Sequence, residues 1–368
     1  MSGRILPFRG RPLSSEAGMA AAEKVLATPI DERVGKARAL HLEDPETLLA
    51  LCGVLREQMG TDPASVLTEA DFLYRFIEAP KREIGLFDER DYFLGETALL
   101  AGTACRCLSH REEAWIWFDR AEAGYRHTMN APAEMSRLSY QRLAERLEER
   151  QLDLVLELLP PLVESFRKLW MPEDALKCRF LEGLAHVERD EPSEAIAIFN
   201  QIRAEAEESG YNRLVGEAYV NLIHAHGMLG ETEAAIEASR RAIPILKSLD
   251  ARIVLGKVHW GLAILLRRTG HYNEAIDSYR KAQEQFDAIG MRADIAALNL
   301  VVADLLLEEG RSVEALREIS EALPVIADLK MAPEGMAALT LVRESVRRQE
   351  VNRQALRELH GYFQELEN

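Results

Sequence analysis

From about residue 94 onward the chain alternates two kinds of amphipathic stretch, and both carry their apolar residues at helical spacing. One is shown by Val258, Leu262, Ile264, Leu265 and Leu266, which predict a helix with a continuous apolar stripe. Gly270 then ends it, because glycine enters the left-handed conformation that closes a helix without a side-chain penalty. A second helix follows, in which Ala275 and Ala282 flank Tyr279 and leave room for a neighbouring backbone. Polar turns lead into the next unit: GMRADI from Gly290, GYNRLV from Gly210 and KMAPEG from Lys330. Pro132, Pro172 and Pro333 fall in such inter-unit turns, where a missing amide donor costs little.

The alternation is a repeat. DEPSEAIAIF from Asp190, GETEAAIEAS from Gly230, GHYNEAIDSY from Gly270 and GRSVEALREI from Gly310 follow one another at one constant interval. Gly230, Gly270 and Gly310 recur in that register, as do Ala195, Ala235, Ala275 and Ala315. The frame extends forward to Ala355 and backward to Val155 and, with one extra residue, to Ala114, giving seven units. A helix pair of this size cannot bury its apolar side alone and must stack on its neighbours, so the pattern predicts an all-α solenoid of antiparallel helix pairs.

On these residues the sequence resembles the tetratricopeptide repeat family, over roughly the last three quarters of the chain. The small residue of the family's first helix is matched by Gly102, Gly183, Ala263 and Ala303, and that of its second helix by Ala114, Ala195, Ala235, Ala275, Ala315 and Ala355. The bulky residue four places later is matched by Phe118, Phe199 and Tyr279, and the next small position by Ala121, Ala242, Ala282 and Ala322. At roughly 40 residues the unit exceeds the family's usual length and is similar to the extended repeats of bacterial signalling regulators. The resemblance implies a right-handed superhelix. Unit 136–175 is degenerate, with Leu143, Val155 and Leu162 in place of small residues; Pro160 and Pro161 are expected to interrupt its second helix, and Pro244 and Pro324 to bend theirs.

Four segments follow. Residues 1–14, with Ile5, Leu6 and Phe8 among three arginines, are expected to form a flexible tail or a linear docking motif. Residues 15–93 are helical by pattern but out of frame, and predict an N-terminal cap; residues 94–332 hold six helix pairs, and 333–368 a C-terminal pair or cap.

Composition narrows the function. A net charge of −16 over 368 residues repels phosphate backbones and anionic lipid, which argues against nucleic acid and membrane partners. No apolar run spans a bilayer, nothing reads as a signal peptide, and the four cysteines make no disulfide framework, so a cytoplasmic location is expected. The sequence holds no phosphate loop, nucleophile elbow, zinc-protease or kinase signature. His226–Gly227 and His360–Gly361 lie in helical pattern, not at the strand end that a caspase-like protease needs. Cys105 and Cys107, like His224 and His226, are two residues apart on a helix, hence about 200° apart, and cannot chelate one ion as a pair. No catalytic residue, cofactor or metal is expected.

The resemblance implies instead that first helices line a concave groove. Tyr140, Phe180, Val220 and Trp260 recur there at the repeat interval, preceded by Arg137, Lys177, Glu217 and Lys257; Arg106, Asn221, His224, Arg267 and Asp304 lie along the same helices. The expected binding set is Arg106, Arg137, Tyr140, Lys177, Phe180, Asn221, His224, Lys257, Trp260 and Arg267. Cations beside flat apolar surface suit a peptide bearing carboxylates. Two functions are therefore expected: a non-catalytic adaptor holding a protein or peptide segment, or a ligand-sensing regulator that controls a transcription or signalling factor in trans.

Overall fold

The structure, a computed structural model, describes residues 15–59, 61–79, 87–108, 110–128 and 131–328, with positions 338, 340 and 341. The expected N-terminal tail and most of the expected C-terminal cap, Ala355 included, lie outside these residues. All regular structure among the described residues is helical, and the chain divides into two compact units, residues 1–189 and 190–368.

The first unit holds α1 (Glu16–Ala27), α2 (Ile30–Arg33), α3 (Pro45–Gln58), α4 (Pro63–Glu78), α5 (Phe87–Cys107), α6 (Arg111–Arg126), α7 (Pro132–Glu148), α8 (Leu152–Lys168) and α9 (Pro172–Glu188). The second holds α10 (Pro192–Ser209), α11 (Asn212–Leu229), α12 (Thr232–Ser248), α13 (Arg252–Arg268), α14 (Tyr272–Asp287), α15 (Arg292–Glu308) and α16 (Ser312–Asp328). The expected cap boundary at 93/94 falls inside α5.

The structural period is half the sequence period. From α7 to α16 the helices begin at one even step, at Pro132, Leu152, Pro172 and so on to Ser312. A left-handed residue stands two positions before nearly every such start: Arg150, Trp170, Asp190, Gly210, Gly230, Asp250, Gly270, Gly290 and Gly310. The next amide then donates to the carbonyl five residues back, as in Gln151 to Arg146 (2.9 Å), Glu231 to His226 (2.9 Å) and Arg311 to Leu306 (2.8 Å). This closure satisfies carbonyls that the helix end would leave open, and reverses the chain within three residues. Pro132, Pro172 and Pro192 open their helices at the first position, where no amide is needed.

Among the described residues the repeat alanines are buried throughout. Ala114, Ala195, Ala235, Ala275 and Ala315 have no exposed surface, and Phe118, Phe199 and Tyr279 fill the space beside them. Pro160 and Pro161 do not interrupt α8, which runs unbroken from Leu152 to Lys168. Its stripe of Val155, Leu159, Leu162, Val163 and Phe166 is buried, and that packing outweighs the lost amide donors. Ile264, expected in the apolar stripe of its helix, is instead 45% exposed.

Before the repeats, Arg33 ties the first turns together. It is 2% exposed, forks onto Glu69 of α4, donates to the carbonyl of Thr28 at 2.7 Å, and lies over the Phe72 ring. Within each unit the odd-numbered helices also touch one another: α3 with α5, α5 with α7 and α7 with α9 in the first, α11 with α13 in the second.

Candidate functional site

All ten expected binding residues stand on odd-numbered helices, α5, α7 and α9 in the first unit and α11 and α13 in the second. In the first unit they are engaged. Arg106 of α5 donates to Gln141 of α7 at 3.1 Å. Arg137 lies 3.9 Å from Glu134 one turn back, and Lys177 is paired with Glu173 at 2.7 Å and faces Asp174 at 3.9 Å. Tyr140 is partly buried against the α8 and α9 core, and Phe180 is 7% exposed. Arg106 and Tyr140 join their helices to neighbouring ones, whereas Arg137 and Lys177 are paired within their own.

In the second unit the row is more open. On α13, Lys257, Trp260, Ile264 and Arg267 stand at i, i+3, i+7 and i+10, which places them on one helix face. Lys257 is exposed and Ile264 nearly half so, while Trp260 is part-buried with its ring edge-on to Phe286 at 6.3 Å. Arg267 reaches to α15, where it meets Asp304 at 2.7 Å and Glu308 at 2.6 Å. On α11, Asn221, His224 and Met228 follow one another at i, i+3 and i+7; His224 is exposed, Met228 is 38% exposed, and Asn221 donates to the Glu217 carbonyl at 2.9 Å. The two helices approach where Gly261 faces Ile223 and Gly227 faces Leu265. The result is an apolar strip with a free cation at one end and a neutralised one at the other.

Three features escaped the reading of the sequence. The first is a buried polar network, in which Glu96 (2% exposed) accepts from Tyr125 at 2.7 Å and from Arg56. Around it, burial and then the Glu96 charge push the Cys52 thiol up to about 12, and burial followed by Glu96 raises the Glu134 carboxyl above its ordinary range. The second comprises two clefts of about 440 and 430 Å³ in the first unit, neither lined by any of the ten residues. One lies between α4 and α6, the other between α7 and α8. The third is a trio of possible metal ligands at the α5–α6 junction. The network and the trio join residues distant in sequence or split by a turn, which a helical pattern cannot register.

No family model matches the sequence, and no curated protein matches it. Solved structures do. A Rap protein complexed with competence and sporulation factor superposes with a TM-score of 0.56 at 12% identity, over 93% of this chain and 98% of that one. The Rap conjugation gene regulator of plasmid pLS20, in complex with the Phr* peptide, gives 0.52 at 15% identity, over 90% and 96%. Aspartyl phosphate phosphatase F from Bacillus subtilis gives 0.52 at 13% identity, over 90% and 94%. At these identities the likeness is one of fold: the chain has the all-helical, tetratricopeptide-like architecture of these proteins.

Proposed function

We propose that the chain binds a peptide or an extended protein segment along its odd-numbered helices and acts through that binding, without catalysing a reaction. The observation that carries the reading is the α13 face, where Lys257, Trp260 and Ile264 bring a cation, a part-buried ring and an open aliphatic group to one side of the helix. Leaving Ile264 45% exposed forfeits burial that the same helix achieves at Leu265 and Leu266, and a guest segment would recover it. The ten residues named from the sequence form the proposed contact set, with those of the second unit doing most of the holding. A carboxylate on the guest would meet Lys257 and, on displacing Asp304 or Glu308, Arg267.

A second reading shares this site. Two of the structures it resembles are complexes, one with competence and sporulation factor and one, a conjugation gene regulator, with the Phr* peptide. By that likeness the chain would be a peptide-responsive regulator acting in trans on a transcription or signalling protein. A third structure is an aspartyl phosphate phosphatase, so absence of catalysis is part of the proposal. A location in the cytoplasm and a partner other than nucleic acid belong to it as well; among the described residues no helix is long and apolar enough to cross a membrane. The 1–14 tail and the terminal caps stay in the proposal with the boundaries given by the sequence.

The test uses exposed positions, because Phe180 is buried and its removal would measure stability instead. A His224→Ala, Lys257→Glu, Ile264→Ser variant should keep wild-type helicity by circular dichroism and lose the proteins that co-purify with the wild type from the native cell. Equal recovery of the same proteins would refute the reading. A thermal-shift screen with short synthetic peptides separates the adaptor from the regulator: stabilisation at micromolar peptide favours the regulator.

A further inference from the structure

The junction of α5 and α6 brings together three chemically matched groups. Cys105 lies in the last turn of α5 and is wholly buried; His110 is the residue before α6, and Glu113 lies in the first turn of α6. Their ligand atoms all lie within 4.8 Å of one another. Two separations are specific: Cys105 Sγ to Glu113 Oε2 is 3.9 Å, and His110 Nδ1 to the same oxygen is 3.8 Å. Around a tetrahedral zinc ion, bonds of about 2.3 Å to sulfur and about 2.0–2.1 Å to nitrogen or oxygen set neighbouring ligand atoms roughly 3.3–3.6 Å apart. Closing these two separations needs movements of a few tenths of an ångström, and bringing the Cys105 sulfur and the His110 ring nitrogen together, from within 4.8 Å, needs up to about 1 Å; His110 and Glu113 are exposed side chains free to make them.

The backbone holds the trio in place. The His110 amide donates to the Cys105 carbonyl at 2.8 Å, fixing the turn that brings one helix end to the next helix start. His110 occupies the cap position of α6, yet its side chain makes no capping bond there; the ring is directed to Glu113 instead. The surroundings are anionic. Glu113 lines the cleft between α4 and α6 together with Asp71, and the charges of both act on the thiol. Burial, followed by Glu113, pushes Cys105 up to about 11, which favours the thiol over the thiolate when no cation is near.

We propose that Cys105, His110 and Glu113 form a binding site for a borderline-soft divalent cation such as zinc, with a fourth position open toward the Asp71 cleft for water or a further carboxylate. Thiolate, imidazole and carboxylate together suit Zn²⁺ and exclude the hard cations that take oxygen alone. On binding, the S–metal bond forms as the Cys105 proton leaves to solvent, and two anionic ligands balance the ion. Cys107, two residues on and exposed, projects elsewhere and is no part of the site. The ion would clip α5 to α6 at the turn, and its open position would give the cleft a Lewis-acidic wall.

The experiment is a Co(II) titration of the full chain after removal of metal with a chelator. One equivalent should produce the near-ultraviolet sulfur-to-cobalt band, and Zn(II) should abolish it by displacement. Cys105→Ser should lose the band, while Cys107→Ser and Cys178→Ser keep it. His110→Ala and Glu113→Gln, both at the surface, should weaken Co(II) binding by more than about 10-fold. A wild type without the band, a band retained in Cys105→Ser, or one lost in Cys107→Ser overturns the assignment. Should Cys105→Ser fail to fold by circular dichroism, the two surface variants decide: undiminished Co(II) affinity in both overturns it.

Discussion

Gly95 of α5 and Gly124 of α6 lie backbone against backbone: a Cβ on Gly124 would stand 2.6 Å from the Gly95 nitrogen and 2.8 Å from the Asp91 carbonyl oxygen. Neither atom can swing aside as a side chain could. Gly124→Ala must push the two helices apart, and should cost about 3 kcal/mol or more by urea unfolding. Gly95→Ala meets the Tyr125 ring at 2.5 Å, and that ring is held by its hydroxyl on Glu96 at 2.7 Å, so it too should destabilise, and by less. A neutral result for Gly124→Ala would mean the crossing is wider than described.

That crossing shows where the sequence was legible and where it was not. Alanines recurring at one fixed interval announce themselves, and they are fully buried in the described repeats. Gly95 precedes Ala114 as Gly216 precedes Ala235 and Gly256 precedes Ala275, so it is in frame, but Gly124 has no counterpart in the later units and nothing in the chain marks the two as partners. Gly216 and Gly256 do recur, facing Leu246 at 2.9 Å and Phe286 at 2.5 Å, but their role is invisible until the partner helix is in place. The half-period was hidden for another reason. The left-handed turns carry glycine at 210, 230, 270, 290 and 310, but arginine, tryptophan and aspartate at 150, 170, 190 and 250. Backbone geometry repeats once per helix; residue type does not. As for the proposed binding row, the resemblance names the helices it would occupy, but whether a lysine there is free depends on neighbours such as Glu173, which the same alternation of charge supplies on any solvated helix.

The mixed turns allow a clean measurement of left-handed strain. Nothing lies within 4 Å of a Cβ built on Gly270, whose φ is +78°, so Gly270→Ala adds no clash and pays only the conformational cost, about 1 kcal/mol. Asp250 adopts φ +48° in the equivalent turn between α12 and α13, and Asp250→Gly should stabilise by up to about 1 kcal/mol. Opposite shifts in the urea midpoint, with unchanged slope, are the expected pair of results.

His259 makes the second unit sensitive to acid. It is 7% exposed, its Nδ1 has no hydrogen-bond partner, and burial first, then Lys281 and Lys247, lower its pKa from 6.5 to about 4. The folded chain therefore holds a neutral ring where the unfolded chain binds a proton. Stability is full above about pH 6.5 and falls as pH drops toward 4, by about 3 kcal/mol at most. His259→Phe should remove that part of the slope. Urea midpoints of the two proteins compared at pH 7 and pH 5 isolate it from the buried carboxylates, which both share. Parallel pH profiles would show that His259 is not responsible.

Arg267 tests what the open row prefers to hold. Its contacts with Asp304 and Glu308 are between side chains 30–43% exposed, where a pair contributes about 0–1 kcal/mol to stability. Arg267→Ala should therefore leave the melting temperature almost unchanged. Its effect on binding should be larger, because it removes a cation and leaves two carboxylates facing the guest: a peptide with acidic groups should bind about 10-fold more weakly. Asp304→Asn with Glu308→Gln does the reverse, freeing the guanidinium while keeping the shape of the wall, and should tighten the same peptide, more so at low salt. Isothermal titration of one acidic peptide against the wild type and both variants decides between the roles. If the double variant binds no better than the wild type while Arg267→Ala lowers the melting temperature, Arg267 is a strut between α13 and α15, and Lys257 is left as the charge that receives the guest.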